Sequence, residues 1–538
     1  MRDTDPTTPT LPPRTLAGWR AIQDRPDHLH AALAATLDRV HASAAAGIWI
    51  SLCPRAAWVA QLDTLAERLA AVADPAERHR RWPLLGVPFG IKDNIDVAGV
   101  PTTAACPAFR RLPTEHASAV QKLLDAGAIW VGKTNLDQFA TGLVGTRSPY
   151  GRPASVVDPT RISGGSSSGS AAAVARGQVP FALATDTAGS GRVPAGFNGL
   201  VGLKPTPGRV GNGGVLPACR TLDCVAVLAH TVGDAAEVLA CIEGPDPRDA
   251  YSAFRPGPAQ LPVTLRVGVP HLPDLDDALG YTGAWAAAQA HLAALGHRRV
   301  EVDMAPLAAV AALLYDGPWV AERHAVVREL LATQPGAFDP TVRRVIERAL
   351  PLRATDAFDG LYRLQERQAA AADLWQQVDL LMLPTAPTHP TFAEVDADPV
   401  GVNSRLGAYT NFVNLLGWCA LALPAGSTGA GLPFGVTFVA PGRHDAALAR
   451  FGLAWCGEAE PSAGAWPAAL SPPHPADAIA ARIGLPLAEA HRPGVRRYFD
   501  LAAGMADRVM GLPLGLDDEP AGSFVPIGPD EQVAGEHR

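Results

Sequence analysis

Short, nearly unbroken apolar runs alternate along this chain with longer stretches in which apolar residues return at helical spacing, most regularly from Leu85 onward. The short runs predict strands at 47–52, 128–133, 180–185, 199–204, 265–269, 298–303, 378–383, 419–424 and 434–440. The periodic stretches predict helices at about 116–127, 233–242, 283–295, 319–333, 356–376 and 445–455. Strands interleaved with helices mean an α/β fold, a mixed central β-sheet covered by helices on both faces. Residues 1–80 read as a helical lead-in, with an alanine-rich second helix from Ala57 to His79. Residues 81–457 form the main domain, and 458–538 a short extension. In that extension PADAIAARI and GVRRYFDLAAGMA suit two helices, and the stretch after Leu512 reads as disordered.

Composition narrows the function classes. The 538 residues are 48% hydrophobic and 18% charged, enough for a large core. A formal net charge of −8, with arginines scattered singly, argues against a nucleic-acid grip. No apolar run approaches the roughly 18 residues of a membrane span, and the N-terminus MRDTDPTTPTLPPRT has no apolar signal core, so no membrane partner and a cytoplasmic location are expected. Seven cysteines without a CxxC pair read as free, mostly buried thiols. The 15 histidines form no HExxH, so no metal is expected.

Candidate chemistry concentrates between Ser163 and Ala195, in SGGSSSGSAAAVARGQVPFALATDTAGSGRVPA. Gly164, Gly165 and Gly169 free the backbone just before the helix-forming AAAV. Ala188-Gly189-Ser190-Gly191 ends a strand-like run, where successive N–H groups can converge on one point as an oxyanion hole requires. Such clusters also make flexible loops or phosphate cradles, although no GK[ST] closes this loop as a P-loop requires. The catalytic alternative gains from LGVPFGIKDNID, where Lys92 ends an apolar strand. Lysines are mostly exposed. Lys92 is either paired with Asp93 or Asp96, or kept neutral by burial and usable as the base that a serine nucleophile needs.

Lys92, Ser166 and Ser190 together resemble the Ser–cis-Ser–Lys triad of the amidase signature family, whose GGSS(G/S)G…TD(T/I)GGS pattern the stretch follows with Ala188 in a usual glycine position. GVPFGIKD matches that family's lysine strand, YTNFVNLLG and PFGVTF its C-terminal portion, and the resemblance runs from roughly Leu85 to Gly457. It implies that Ser190 is the nucleophile, Ser166 the bridging serine after a cis Gly165–Ser166 bond, and Lys92 the base. The backbone N–H groups of Thr187, Ala188, Gly189 and Ser190 would hold the oxyanion, and a small amide would lose ammonia through an acyl-enzyme with no cofactor.

The segments 91–109, 216–226 and 314–324 are similar to those of allophanate hydrolases within the family. That similarity implies Tyr315 and Arg323 as substrate-binding residues, since a guanidinium fork suits the one carboxylate of the ureide. From the residues alone, Arg323 could equally pair with Glu322 or lie on the surface, and Arg192 could bind substrate or pair with Asp186. Allophanate hydrolases often carry a further C-terminal domain, and 458–538 is too short and too rich in proline and glycine to match it. The alternatives are an amidase for biuret-, guanylurea- or malonamate-like compounds, or an amidotransferase component that depends on partner subunits. A non-catalytic binding module is disfavoured because all three triad positions hold competent residues. Helical lead-ins in this family often dimerise, which makes a homodimer one assembly the resemblance allows, while the residues themselves do not give the oligomeric state.

Overall fold

Eleven strands join in one mixed sheet in the computed structural model, which describes residues 12–43, 46–258, 260–459, 476 and 488–510. They are β1 (Trp49–Leu52), β2 (Pro88–Lys92), β3 (Ile129–Thr134), β4 (Phe181–Asp186), β5 (Val201–Lys204) and β6 (Cys224–Ala229), followed by β7 (Arg266–Pro270), β8 (Arg298–Val302), β9 (Leu380–Pro384), β10 (Cys419–Ser427) and β11 (Pro433–Ala440). The order across the sheet is β1-β3-β2-β4-β6-β5-β10-β11-β9-β7-β8. β2 runs parallel to both β3 and β4, and β6 lies antiparallel to β4 and β5. Helices cover both faces.

The burial pattern explains the apolar runs. Every residue of β2, β3, β4, β5, β6 and β9 is buried, as expected for strands covered on both sides. The edge strand β8, RRVEV, is largely exposed and charged, which guards the sheet margin. Nine strands fall within a few residues of the predicted runs and β2 is the lysine strand; only β6 lies outside that set. Its sequence CVAVLA is an unbroken apolar run of the same kind as the others, beginning inside the 216–226 motif directly after the polar Asp223.

The lead-in is part of the same structure, because β1 adds antiparallel to β3 with Trp49 opposite Thr134. The helix predicted from Ala57 to His79 is two helices, Arg55–Ala71 and Pro75–Arg81. Pro75 opens the second, and the Asp74 carboxylate accepts from the N–H groups of Ala76 and Glu77. The predicted 356–376 helix is likewise split, into Ala354–Ala372 and Leu374–Gln377.

The chain separates into two units, residues 1–472 and 473–538. The described part of the second contains the helix Arg492–Met510, with Tyr498, Leu501 and Met505 exposed. GVRRYFDLAAGMA lies within this helix. Apart from Ala476, PADAIAARI and the tail after Leu512 lie outside the described residues.

Candidate active site

Lys92 closes β2 with its side chain fully buried. Its Nζ lies 2.7 Å from Ser166 Oγ, 2.7 Å from Thr185 Oγ1 and 3.3 Å from the Thr185 carbonyl. The pairing alternative for this lysine does not occur. Asp93 takes Lys133 at 2.9 Å, Asp96 takes Arg111 at 2.8 Å, and Lys92 has no carboxylate partner among the described residues. Burial therefore dominates and pushes its pKa down to about 7, against the upward pull of Asp137, Asp223 and Asp186. A neutral amine in this position has two N–H groups and one lone pair for three neighbours. With both N–H groups on Thr185, the lone pair faces the Ser166 hydroxyl.

Ser166 follows a cis peptide bond from Gly165. Asp137 backs this turn: its N–H donates to the Ser166 carbonyl at 3.1 Å, and its carboxylate accepts from the N–H groups of Gly145 and Arg147 at 2.9 and 3.0 Å. A Cβ on Gly165 would run into the Asp137 carboxylate and the Gly145 nitrogen, which explains the glycine. The helix Ser168–Ala175 starts immediately afterward and packs on β2, β3, β4 and β6.

Ser190 lies in the turn between β4 and the short helix Arg192–Phe197, and is 2% exposed. Its carbonyl accepts from Ser167 N–H at 3.3 Å, which ties the two serine loops together. Gly189 has φ +133°, and a Cβ there would overlap the Thr410 side chain. The four expected oxyanion donors are not equivalent. The Gly189 N–H donates to Asp186 Oδ1 at 2.8 Å because the loop wraps around that carboxylate. Those of Thr187, Ala188 and Ser190 have no acceptor among the described residues.

Arg192 takes the second of its two readings, a structural pair with Asp186. Its Nε and Nη2 both meet that carboxylate at 2.9 Å, and Nη2 also reaches Asn414 Oδ1 at 3.1 Å. Burial pushes the Asp186 carboxyl up, but Arg192, Lys204 and the Gly191 N–H outweigh it and hold the group at about 2. The Nε–Nη2 edge of Arg192 is thus taken up by a fully buried carboxylate, which places it as a structural partner of Asp186 and not with Tyr315 and Arg323, while its Nη1 is buried without a partner.

Tyr315 is the last residue but one of the helix Ala305–Asp316, and Arg323 is the fourth residue of the helix Val320–Thr333. The two side chains meet, with the guanidinium 5.5 Å from the tyrosine ring centroid. Arg323 is 3% exposed and does not pair with Glu322. Its Nη1 donates to Thr141 Oγ1 at 3.0 Å, and its Nε is buried without a partner. The Glu322 carboxylate instead accepts from Thr221, from the N–H at 3.0 Å and from the hydroxyl at 2.5 Å.

Four functional neighbours escaped the sequence reading: Thr185, Asn94, Thr141 and Asp223. Thr185, Asn94 and Asp223 stood within quoted motifs, but only the fold shows what they touch, such as the Asn94 amide donating to Thr185 Oγ1 at 3.3 Å. Asp223 accepts from Thr187 Oγ1 and from the N–H groups of Ala218 and Cys219. Burial pushes its pKa up to about 6, opposed by the Thr187 hydroxyl, the Cys219 N–H and Arg323. Among the described residues no group of three or more His, Cys, Asp or Glu side chains could hold a metal ion, and no helix is long and apolar enough to cross a membrane.

Residues 53–449 match the family model described as Amidase, and residues 477–524 match one described as AtzG-like, after a component of 1-carboxybiuret hydrolase. Urea amidolyase of Lachancea kluyveri is 44% identical over 445 residues, which are 80% of this chain and 24% of that much longer protein. Urea amidolyase of Saccharomyces cerevisiae is 42% identical over 425 residues, 77% of this chain and 22% of its own. Among solved structures, Kluyveromyces lactis allophanate hydrolase superposes with a TM-score of 0.77 at 40% identity, covering 84% of this chain and 75% of that one.

Proposed function

This chain belongs to the amidase family, and from that premise we propose that it hydrolyses a small carboxylate-bearing ureide, allophanate, releasing ammonia through an acyl-enzyme on Ser190. One observation carries the chemistry: a buried lysine without a carboxylate partner, pushed down to about 7, lies 2.7 Å from the Ser166 hydroxyl. Arg323 supports the substrate class, because its buried Nε is still open to a carboxylate oxygen and Tyr315 lies beside it. The family relatives named as allophanate hydrolase and urea amidolyase point the same way.

In this mechanism the neutral amine of Lys92 accepts the Ser166 proton while Ser166 takes that of Ser190. The Ser190 oxygen then adds to the terminal carbonyl of the ureide. The N–H groups of Thr187, Ala188 and Ser190 face the resulting oxyanion, each contributing about 3 kcal/mol to the transition state. Collapse breaks the C–N bond, and the proton returns from Lys92 through Ser166 to the leaving nitrogen, which departs as ammonia. Water repeats the relay on the acyl-enzyme and regenerates Ser190. With allophanate the product is N-carboxycarbamate, a carbamate that loses CO₂ spontaneously, so deamination requires no second active site. The extended lead-in is the expected site of homodimer contact.

A second substrate is favoured by the C-terminal match to a component of 1-carboxybiuret hydrolase. 1-Carboxybiuret is also a carboxylated ureide, one CO–NH unit longer, and would use the same anion site. Ammonia release by the purified full chain from allophanate, 1-carboxybiuret, biuret, malonamate and a simple aliphatic amide decides the matter, with Ser190→Ala as control. Preference for allophanate, lost in the variant, is the expected result. Preference for another amide sinks the substrate and keeps the triad, and activity that appears only with partner subunits favours the amidotransferase alternative.

A further inference from the structure

We propose that Thr221 and Glu322 form a latch that positions Arg323 for the substrate carboxylate, so that discrimination between anionic and neutral ureides is set partly from outside the anion site. The inference rests on the assignment of Arg323 as the carboxylate ligand. That guanidinium is weakly anchored for a buried one. Its good hydrogen bond goes to Thr141 Oγ1 at 3.0 Å, a longer one reaches the Ala140 carbonyl at 3.5 Å, and no carboxylate pairs with it among the described residues. Its position is therefore inherited from the backbone of the helix Val320–Thr333, whose start is separated from the preceding helix at Gly317 and Pro318.

That helix start is buried at Trp319 and Val320, and the loop 216–223 supplies its polar contacts. Both oxygens of Glu322, in the first helical turn, accept from Thr221. Cys219 Sγ adds a weaker contact to the Trp319 carbonyl at 3.7 Å. The loop is fastened in turn to the oxyanion strand by Asp223, which accepts from Ala218 N–H at 2.7 Å, from Cys219 N–H at 3.2 Å and from the Thr187 hydroxyl. A continuous hydrogen-bonded route therefore leads from the oxyanion loop to the helix that carries Arg323. Thr221 and Glu322 make its last link at the rim, whereas Asp223 makes the first link in the core. Breaking the last link loosens the first turn of the helix around its buried Trp319 and Val320 and leaves the bonds at Thr187 intact. Substrate binding should suffer and turnover should not.

Electrostatics alone predicts the opposite sign. Glu322 is an acidic neighbour of Arg323, so removing its charge would strengthen the attraction for an anionic substrate. The two accounts are separated by steady-state ammonia release from allophanate, with biuret, which carries a carboxamide in place of the carboxylate, as competitive inhibitor. The latch predicts that Glu322→Ala raises KM for allophanate roughly five- to twentyfold with kcat within about twofold and biuret inhibition unchanged. Thr221→Val, which keeps the backbone donor, should raise KM roughly threefold, and the double variant should be no worse than Glu322→Ala. Glu322→Gln retains an acceptor for Thr221 and should restore near-normal KM. An unchanged or lowered KM in Glu322→Ala, a fall in kcat to match, or equal weakening of biuret overturns the latch. If Glu322→Ala does not fold, an unchanged KM in Thr221→Val does so alone. Arg323→Ala is the reference: if it leaves the allophanate KM unchanged, the anion-site assignment itself falls, whereas a selective rise in Arg323→Ala without one in the latch variants overturns only the latch.

Discussion

Replacing Lys92 by methionine should abolish activity and yet make the protein more stable at neutral pH. Burial lowers the Lys92 pKa from 10.5 to about 7, with Asp137, Asp223 and Asp186 opposing the shift. At about 1.4 kcal/mol per pKa unit, holding this amine neutral costs the folded state about 5 kcal/mol near pH 7. The sign follows from proton counts: between pH 7 and 10.5 the unfolded chain binds the proton and the folded chain does not, so wild-type stability rises with pH through that window. Methionine has a similar shape and no charge to desolvate. It leaves the Ser166 and Thr185 hydroxyls without their nitrogen neighbour, a loss of about 1–3 kcal/mol in all, since Thr185 Oγ1 keeps Asn94. The variant should therefore be about 2–4 kcal/mol more stable at pH 7, and the gap should close by about 1.4 kcal/mol per pH unit above it. Urea unfolding of both proteins at pH 7, 8 and 9 measures the gap directly. A gap that does not change with pH would refute the claim that Lys92 is a desolvated amine.

The same group sets the rate profile: kcat/KM should rise about tenfold per pH unit below 7 and level off above it, because the free amine is the active form, and a profile flat from pH 5.5 to 8 would remove Lys92 as the base. Asp186→Asn strands the buried Arg192 guanidinium and frees the Gly189 loop, so it should destabilise by about 3–5 kcal/mol and lower activity as well, read by thermal melting and ammonia release. Gly165→Ala places a methyl group against the Asp137 carboxylate, and should lose activity far more than Gly99→Ala, whose added Cβ meets nothing within 4 Å although its φ of +72° carries some strain.

The amino-acid sequence by itself determined a good deal of this protein. Burial is written locally, in unbroken apolar runs and helical periods, so ten of the sheet's eleven strands and the helix that carries Arg323 were legible before any coordinate, whereas Ala305–Asp316, which carries Tyr315, and the short Arg192–Phe197 were not. The lysine at the end of GVPFGIKD and the two Gly/Ser clusters were also visible, because a charge in an apolar strand and glycines before a helix break the local rule and invite a chemical reason. Tyr315 and Arg323 were legible through their motif, and the fold places them together. The partners of the charged groups were decided only by tertiary structure. Nothing local says that Asp93 turns to Lys133, leaving Lys92 alone, that Asp186 claims both Arg192 and the Gly189 N–H, or that Glu322 meets Thr221 instead of Arg323. Several of these choices join residues far apart in the chain, set by which strands and helices lie side by side. A sequence records which side chains are hidden, but a hydrogen bond depends on a few tenths of an ångström between elements, and only the packed structure supplies that.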